Sequence, residues 1–360
     1  MNKKIHIALI YNEPTVTTPT GRKFISETGV LYEGGEVSQT DADIMVDMSE
    51  VAVLDEMNDI KRALEVMGYR ATLFNVNSDI YRLIDFLKKE KPDVIFNICE
   101  SIGTESIHEM HVAGIFELLG IPYTGANAFT LGLAQNKMRV KEILSYHNLP
   151  TPKFRVIKNP DDMISEDGLS FPIIVKPSRE DASVGISNDS VVYNLEDLKN
   201  RVRFVIEKFI QPALIEEYIE GREINVAVIG NSNPTALPVS EVDMSTLPDN
   251  YHKIITYNAK WMKGTDEFEC TKGICPAPLP EAVAKILQSM ALKAYNIIGC
   301  RDYARVDFRL TKEYKPYILE VNPNPDIAAE AGFARAARTA GMTFEEMTNK
   351  IVELALERCQ

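Results

Sequence analysis

Ala304-Arg305-Val306-Asp307-Phe308-Arg309-Leu310, followed after a turn by Tyr317-Ile318-Leu319-Glu320-Val321-Asn322, is the stretch from which the rest of the chain can be read. Polar and apolar residues alternate strictly in its first half. Successive side chains of a strand point to opposite faces, so Arg305, Asp307 and Arg309 share one face and Val306, Phe308 and Leu310 the core face. In the second half Glu320 and Asn322 share a face. If the two strands pair as a hairpin across Glu313–Pro316, Asp307, Glu320 and Asn322 converge as three oxygen ligands. Two carboxylates and an amide, with water and phosphate completing the shell, suit Mg2+, with Mn2+ as the alternative. The same alternation also describes the solvated face of an ordinary sheet. Asn322-Pro323-Asn324-Pro325 weighs against that, because so rigid a turn fixes the strand end.

Two stretches upstream carry further signals. Phe171-Pro172-Ile173-Ile174-Val175-Lys176-Pro177 reads as a buried strand that delivers one lysine, and Ser178–Gly185 after it is rich in small residues. Small residues let backbone N–H groups approach phosphate oxygens, and the lysine adds a compact charge. It is no P-loop, since GxxxxGK[ST] is absent. In Leu214–Glu223 an apolar strand turns acidic, meets Gly221 and re-enters a strand. That is either an exposed turn or a linker that holds an adenine and a ribose.

Around these signals the chain divides into two grammars. Strands at Lys4–Asn12, Ala71–Val76 and Asp93–Ile98 alternate with helices at Ala42–Met67, Asp79–Lys89 and Glu105–Leu119, which predicts an open parallel sheet. Ligands of such sheets gather beyond the strand carboxyl ends, so Glu100 in Cys99-Glu100-Ser101 is placed to face the crevice. Glu13–Thr40 reads as a long loop. One helix is expected over Asn127–His147. Beyond the hinge-like Asn148–Pro152, strands at 153–157, 172–176, 213–218, 223–229, 305–310 and 317–322 follow more closely, with helices at 195–209 and 280–298. Asn231–Pro276 reads as loop-rich. The fold class expected is α/β and α+β, in three parts: residues 1–126, 127–220 and 221–360.

Composition narrows the function classes. The 360 residues carry a formal net charge of −13 and 45% hydrophobic residues. No Lys/Arg stripe suited to nucleic acid stands out, and no apolar run reaches the roughly 18 residues of a membrane span. Met1–Ile10 reads as a first buried strand and not as a signal segment. The cysteines at 99, 270, 275, 300 and 359 are odd in number and scattered, which suits a reducing cytoplasm. His108 and His111 lie three apart on a predicted helix with Glu109 pointing elsewhere, a poor metal set. Cys99 reads as a small buried residue and not as a nucleophile.

The three signals, in this order, resemble the ATP-grasp superfamily and more closely the D-alanine–D-alanine ligase family, over roughly Lys91 to Met342. The resemblance implies an ATP-grasp fold with a Rossmann-like N-terminal domain and ATP bound between the other two. Tyr123-Thr124-Gly125 with Gln135-Asn136-Lys137 makes Lys137 a phosphate-contacting lysine, and Lys176 matches the second. Glu216, Glu217 and Ile219 fall at the adenine hinge, and Glu223 at the ribose carboxylate. Asn258-Ala259-Lys260-Trp261 brings a further lysine over the phosphates. Asp307, Glu320 and Asn322 match the magnesium ligands, and Arg305 the arginine at the reaction centre. A cytoplasmic carboxylate–amine ligase acting through an acyl phosphate is implied, with amino acids or peptides as substrates and a homodimer as the assembly. The rivals are an ATP-grasp ligase or carboxylase with another nucleophile, and a non-catalytic ATP-binding regulator.

The departures fall in the amino-acid half. The family's loop serine is Ala182 here, so the resemblance leaves Ser183, one residue on, as the catalytic candidate beside Arg305 and Lys260, and the family's partner tyrosine is Trp261. The N-terminal Gly-rich motif is replaced by Tyr11-Asn12-Glu13-Pro14. Asp326, Glu330 and Ala331 stand where the family receives a carboxylate. Acids there repel a carboxylate and attract an amine, unless they cap a helix starting near Ala328. Strict D-alanine dimerisation is therefore not expected.

Overall fold

A computed structural model describes residues 4–13, 15–18, 21–25, 31–33, 36–37, 48–102, 105–161 and 168–358. Strand β1 (His6–Tyr11) is followed by the short strands β2 (Thr15–Thr18), β3 (Gly21–Ile25), β4 (Leu31–Glu33) and β5 (Glu36–Val37), and then by α1 (Met48–Val66). Next come β6 (Arg70–Asn75), α2 (Ile80–Glu90), β7 (Val94–Asn97) and α3 (His108–Leu119). Strands β6, β1 and β7 pair in parallel with β1 in the centre, as the βαβ grammar requires. Helix α2 shows why its boundaries were readable. Asp79 accepts the N–H groups of Tyr81 and Arg82, and Lys91 ends the helix in the left-handed conformation.

Four expectations need correction. Pieces of Glu13–Thr40 pair as an antiparallel sheet in the order β2-β3-β4-β5, where a loop was expected. Thr15–Thr18 is β-branched throughout, a strand composition that the turn-forming residues around it obscured. The remainder of that stretch, residues 42–47 of the helix read over Ala42–Met67, and Cys359 lie outside the described residues. The helix over Asn127–His147 is two helices, α4 (Ala128–Ala134) and α5 (Lys137–Tyr146). Asn136 breaks it, its side chain accepting the Arg139 N–H as a new N-cap, a bond worth about 1 kcal/mol. The break re-aims α5 so that Lys137, Val140, Lys141 and Leu144 form its buried face.

A four-stranded antiparallel sheet follows, in the order β10-β9-β11-β8: β8 (Phe154–Ile157), β9 (Ile173–Pro177), β10 (Val191–Val192) and, after α6 (Leu195–Phe209), β11 (Ala213–Glu217). The last sheet runs β15-β14-β12-β16-β17, with β13 on β12. Its members are β12 (Arg222–Ile229), β13 (Thr235–Ala236), β14 (Ser240–Asp243), β15 (Lys272–Ile274), β16 (Tyr303–Leu310) and β17 (Pro316–Asn322). The third correction follows, since β13, β14, α7 (Tyr257–Trp261), α8 (Asp266–Glu269) and β15 occupy the stretch read as loop. These elements have two to five residues each, too short for a periodicity to show.

Helix α9 (Glu281–Ile298) covers the apolar face of this sheet, packing Leu287, Ala291 and Tyr295 against Val226, Val306 and Phe308 together with Val140 and Leu144 of α5. Helices α10 (Gly332–Thr339) and α11 (Phe344–Glu357) share a core with β1, β7 and α1. Helix α10 supplies the fourth correction. It starts at Gly332 with Ala331 as its N-cap, so no helix begins near Ala328. Among the described residues no helix is long and apolar enough to cross a membrane.

Candidate active site

The polar face of β16 and β17 gathers the expected ligands. Asp307 lies opposite Glu320 and Arg305 opposite Asn322, with a bulge after Asp307. Asn322 Nδ2 donates to Asp307 Oδ2 at 2.9 Å and to Glu320 Oε1 at 3.4 Å. Arg305 grips Asp307 through two bonds of 2.8 Å, the fork geometry suited to a carboxylate. On β12, Asn225 pairs directly across from Asp307, and its buried Oδ1 has no partner among the described residues. Directly opposite residues of an antiparallel pair share a face, so this orphan oxygen stands beside the two carboxylates. Such an oxygen-rich set fits a hard divalent cation. Sequence reading missed Asn225, although Glu223 and Asn225 alternate with Ile224 and Val226 as their counterparts do on β16.

Lysines border this cluster. Lys137 donates to Glu320 at 3.0 Å and to Asp181 at 2.6 Å. Burial opposes its charge, but those two carboxylates outweigh burial and hold the ammonium above its usual range. Glu320 answers in kind: burial would raise its carboxyl, yet Lys137, Lys176 and Lys260 together hold it well below the normal carboxylate range. Lys260, on α7, has no ion pair within 4 Å among the described residues. Burial and then Arg305 lower its ammonium. Lys176 reaches Glu216 at 2.8 Å.

Lys141 is a residue the sequence reading missed, and the signal for it was its spacing. One turn after Lys137 on a helix, it must share that residue's face. It is 1% exposed, ion-pairs with Glu216 at 3.0 Å and donates to Thr151 Oγ1 at 2.8 Å. Burial pulls its ammonium down to about 8 despite Glu216. Glu216 was expected at an adenine hinge, but its carboxylate is committed inward to Lys141 and Lys176 and braces the second. Burial works against that charge, and the two lysines outweigh it.

The rest of the expected nucleotide side is more open. Glu217 accepts the Ser170 N–H at 3.0 Å, and the Ile219 carbonyl accepts from Arg309 at 3.0 Å. Glu223 pairs with Arg309 at 3.0 Å; burial raises its carboxyl and Arg309 works against that. Arg309 also bonds the Lys253 carbonyl and Tyr218 Oη, so this 3%-exposed guanidinium ties the turn, β12 and the following loop together. The strand alternation already put Arg309 on the ligand face, but no role was read for it.

In the loop after Lys176, Ala182 and Ser183 both adopt left-handed backbone, with φ of 52° and 65°. Successive residues of that kind are strained and turn N–H groups to one side. Trp261 Nε1 donates to the Ala182 carbonyl at 3.0 Å. The loop and α7 are thus joined by indole and backbone, without the hydroxyl pair of the family. Ser183 makes no side-chain hydrogen bond among the described residues, and the structure brings it no catalytic partner.

The remaining candidates separate. Asp326 accepts the Ala328 N–H at 2.8 Å, a local turn, while Glu330 is 91% exposed near Arg338. Neither caps α10. Glu100 lies three residues beyond β7 and is exposed. His108 and His111 touch each other at 3.0 Å, and no group of three or more His, Cys, Asp or Glu able to hold a metal occurs among the described residues. Cys99 is buried, which pushes its thiol up and away from nucleophilic use. Tyr123-Thr124-Gly125 has a packing reason as well: Ala126 N donates to Asn324 Oδ1 at 2.9 Å, and a Cβ on Gly125 would collide with that side chain.

Residues 143–353 match the family model described as D-ala D-ala ligase C-terminus. A D-alanine–D-alanine ligase of Pelotomaculum thermopropionicum is 31% identical over 310 residues, covering 83% of this chain and 91% of its own. The uncharacterized protein y4sG of Sinorhizobium fredii is 33% identical over 265 residues, 74% of this chain and 75% of its own. In fold, a D-alanine–D-alanine ligase of Bacillus anthracis complexed with ATP superposes with a TM-score of 0.73 at 22% identity, covering 99% and 98% of the two chains.

Proposed function

The chain belongs to the D-alanine–D-alanine ligase family of ATP-grasp enzymes and is an ATP-dependent ligase that forms a C–N bond; we propose that it joins a small carboxylate to a small amine other than a second D-alanine. The observation that carries the reading is the single cluster in which Asp307, Glu320 and Asn322 meet Arg305 and Lys137. In this reading ATP lies between the sheet carrying Lys176 and the sheet carrying Glu320. The three-part division 1–126, 127–220 and 221–360 belongs to the same proposal.

Lys137, Lys176 and Lys260 bind the phosphates and offset the repulsion between the carboxylate and the γ-phosphate. The carboxylate oxygen then bonds to the γ-phosphorus, ADP leaves, and the amine attacks the acyl carbon and expels phosphate. Asp307, Glu320 and Asn322 would hold Mg2+, which when bound supplies further charge neutralisation for phosphoryl transfer. Arg305, fixed by Asp307, steadies the reacting carboxyl. The backbone after Glu217 and the Glu223 carboxylate receive adenine and ribose. Trp261 and Ala182 close the loop over the acyl phosphate and keep water out.

The substrate half supports a changed pair. Trp261 spends its N–H on a backbone carbonyl, and Ala182 has no hydroxyl to offer D-alanine. A substrate polar group left unpaired in a closed site costs about 1–3 kcal/mol, so D-alanine alone is expected to run at least about tenfold below the best pair. ADP release screened across amino acids and dipeptides checks this. Efficient D-alanyl-D-alanine formation, equal to the best pair found, contradicts it.

A further inference from the structure

Lys141 is a buried charge for which the proposed mechanism has no use. Its ammonium stands 3.0 Å from Glu216 Oε1, while the ammonium of Lys176 stands 2.8 Å from Glu216 Oε2. The three side chains open outward in order, Lys141 and Glu216 each 1% exposed and Lys176 12% exposed. The sheet register explains how the outer two meet. Leu214 lies opposite Lys176, so Glu216, two residues further along β11, is the diagonal neighbour of Lys176 on the same face. Lys141 reaches that face from α5. Its ammonium lies 5.8 Å from the ring centre of Phe154, the residue opposite Glu216 on β8.

Lys141 is also held from a second side. It donates to Thr151 Oγ1, and that hydroxyl donates to the Ile318 carbonyl of β17 at 2.8 Å. Its place is thus fixed by the sheet of β9 and β11 on one side and by that of β16 and β17 on the other. Burial would raise the Glu216 carboxyl, and Lys141 and then Lys176 outweigh it, so the carboxylate stays ionised between two ammonium groups. Without Lys141 this carboxylate would face Lys176 alone and cancel its charge, because opposite charges in a buried site attract far more strongly than in water. With Lys141 in place the carboxylate is already compensated, and one positive charge is left over at the accessible end. We propose that Lys141 is a positioning residue that neutralises Glu216 and so leaves the Lys176 ammonium free to hold the phosphates of ATP. This deepens the ligase reading and rests on its assignment of Lys176 to the phosphates.

Mg2+–ADP and adenosine share base and ribose and differ in the phosphates, so they are the probes. Calorimetric titration is run at pH 7, below the value of about 8 to which burial brings the Lys141 ammonium. Lys141→Met should bind Mg2+–ADP at least about tenfold more weakly than the wild type, the worth of one charge-assisted hydrogen bond, and adenosine within about twofold of it. Adding Glu216→Gln to Lys141→Met removes the carboxylate that captures Lys176, and should bring Mg2+–ADP affinity back to within about threefold of the wild type. A lysine that served packing alone would weaken both probes or neither, and the second substitution would restore nothing specific to the phosphates. Should Lys141→Met not fold, Lys141→Gln, which removes the charge and keeps a polar end, takes its place. An equal loss for Mg2+–ADP and adenosine, no loss for either, or a loss that Glu216→Gln leaves in place overturns the proposal. A wild-type protein that does not bind Mg2+–ADP overturns the ligase reading and the proposal together.

Discussion

Glu320→Gln is expected to lower the rate of Mg2+–ATP-dependent ADP release by about 10²–10³-fold, the usual loss when one preorganised charge contact to a developing anion is removed. Glu320 is the point where the oxygen cluster and the lysines meet, bonded to Lys137 at 3.0 Å and within 3.4 Å of Asn322. Glutamine keeps the shape and still accepts from Lys137, so the fold should persist. The charge that three lysines stabilise is gone. Thermal stabilisation by Mg2+–ATP, which for a ligand at 100 times its Kd is about 2.7 kcal/mol, should shrink with it. An unchanged ADP rate together with an unchanged ATP-dependent shift would remove Glu320 from the metal set.

Arg309→Met should destabilise the protein by about 3 kcal/mol, because it leaves the largely buried Glu223 carboxylate without its counter-charge. Three backbone and side-chain acceptors lose a donor at the same time: the carbonyls of Ile219 and Lys253, and Tyr218 Oη. Glu223→Gln added to Arg309→Met should recover part of the loss, since the unpaired charge is then absent. Urea unfolding of the two variants checks both statements. A single variant within 1 kcal/mol of wild type, on the scale of an exposed pair, would show that the pair is not buried as described.

The hairpin was legible because its register depends on a period of two, and Asp307, Glu320 and Asn322 needed only that pattern to be placed together. Lys176 was legible as a charge at the end of an apolar strand. Asn136 shows why boundaries inside a helical pattern are harder. Asn136 is compatible with a helix interior and is strongly favoured as an N-cap, and only the packing of Lys137 and Lys141 decides between the two. Glu216 was read at an adenine hinge, and the linear order cannot say that Lys141, 75 residues earlier, turns its carboxylate inward. Glu56 and Glu109 come from α1 and α3 and are brought together by tertiary packing, so no local pattern announces their proximity. Asn225 was within reach of the same alternation argument that located its partner strand.

Oxygen transfer tests the central claim most directly. The best carboxylate substrate from the ADP-release screen, labelled with ¹⁸O in its carboxyl group, is turned over with unlabelled ATP and the amine, and the released phosphate is weighed by mass spectrometry. If the carboxylate is activated as an acyl phosphate, the oxygen that bonds to phosphorus leaves with it. Each inorganic phosphate then carries one labelled oxygen for each amide formed. Amide formation with phosphate free of the label would contradict the account.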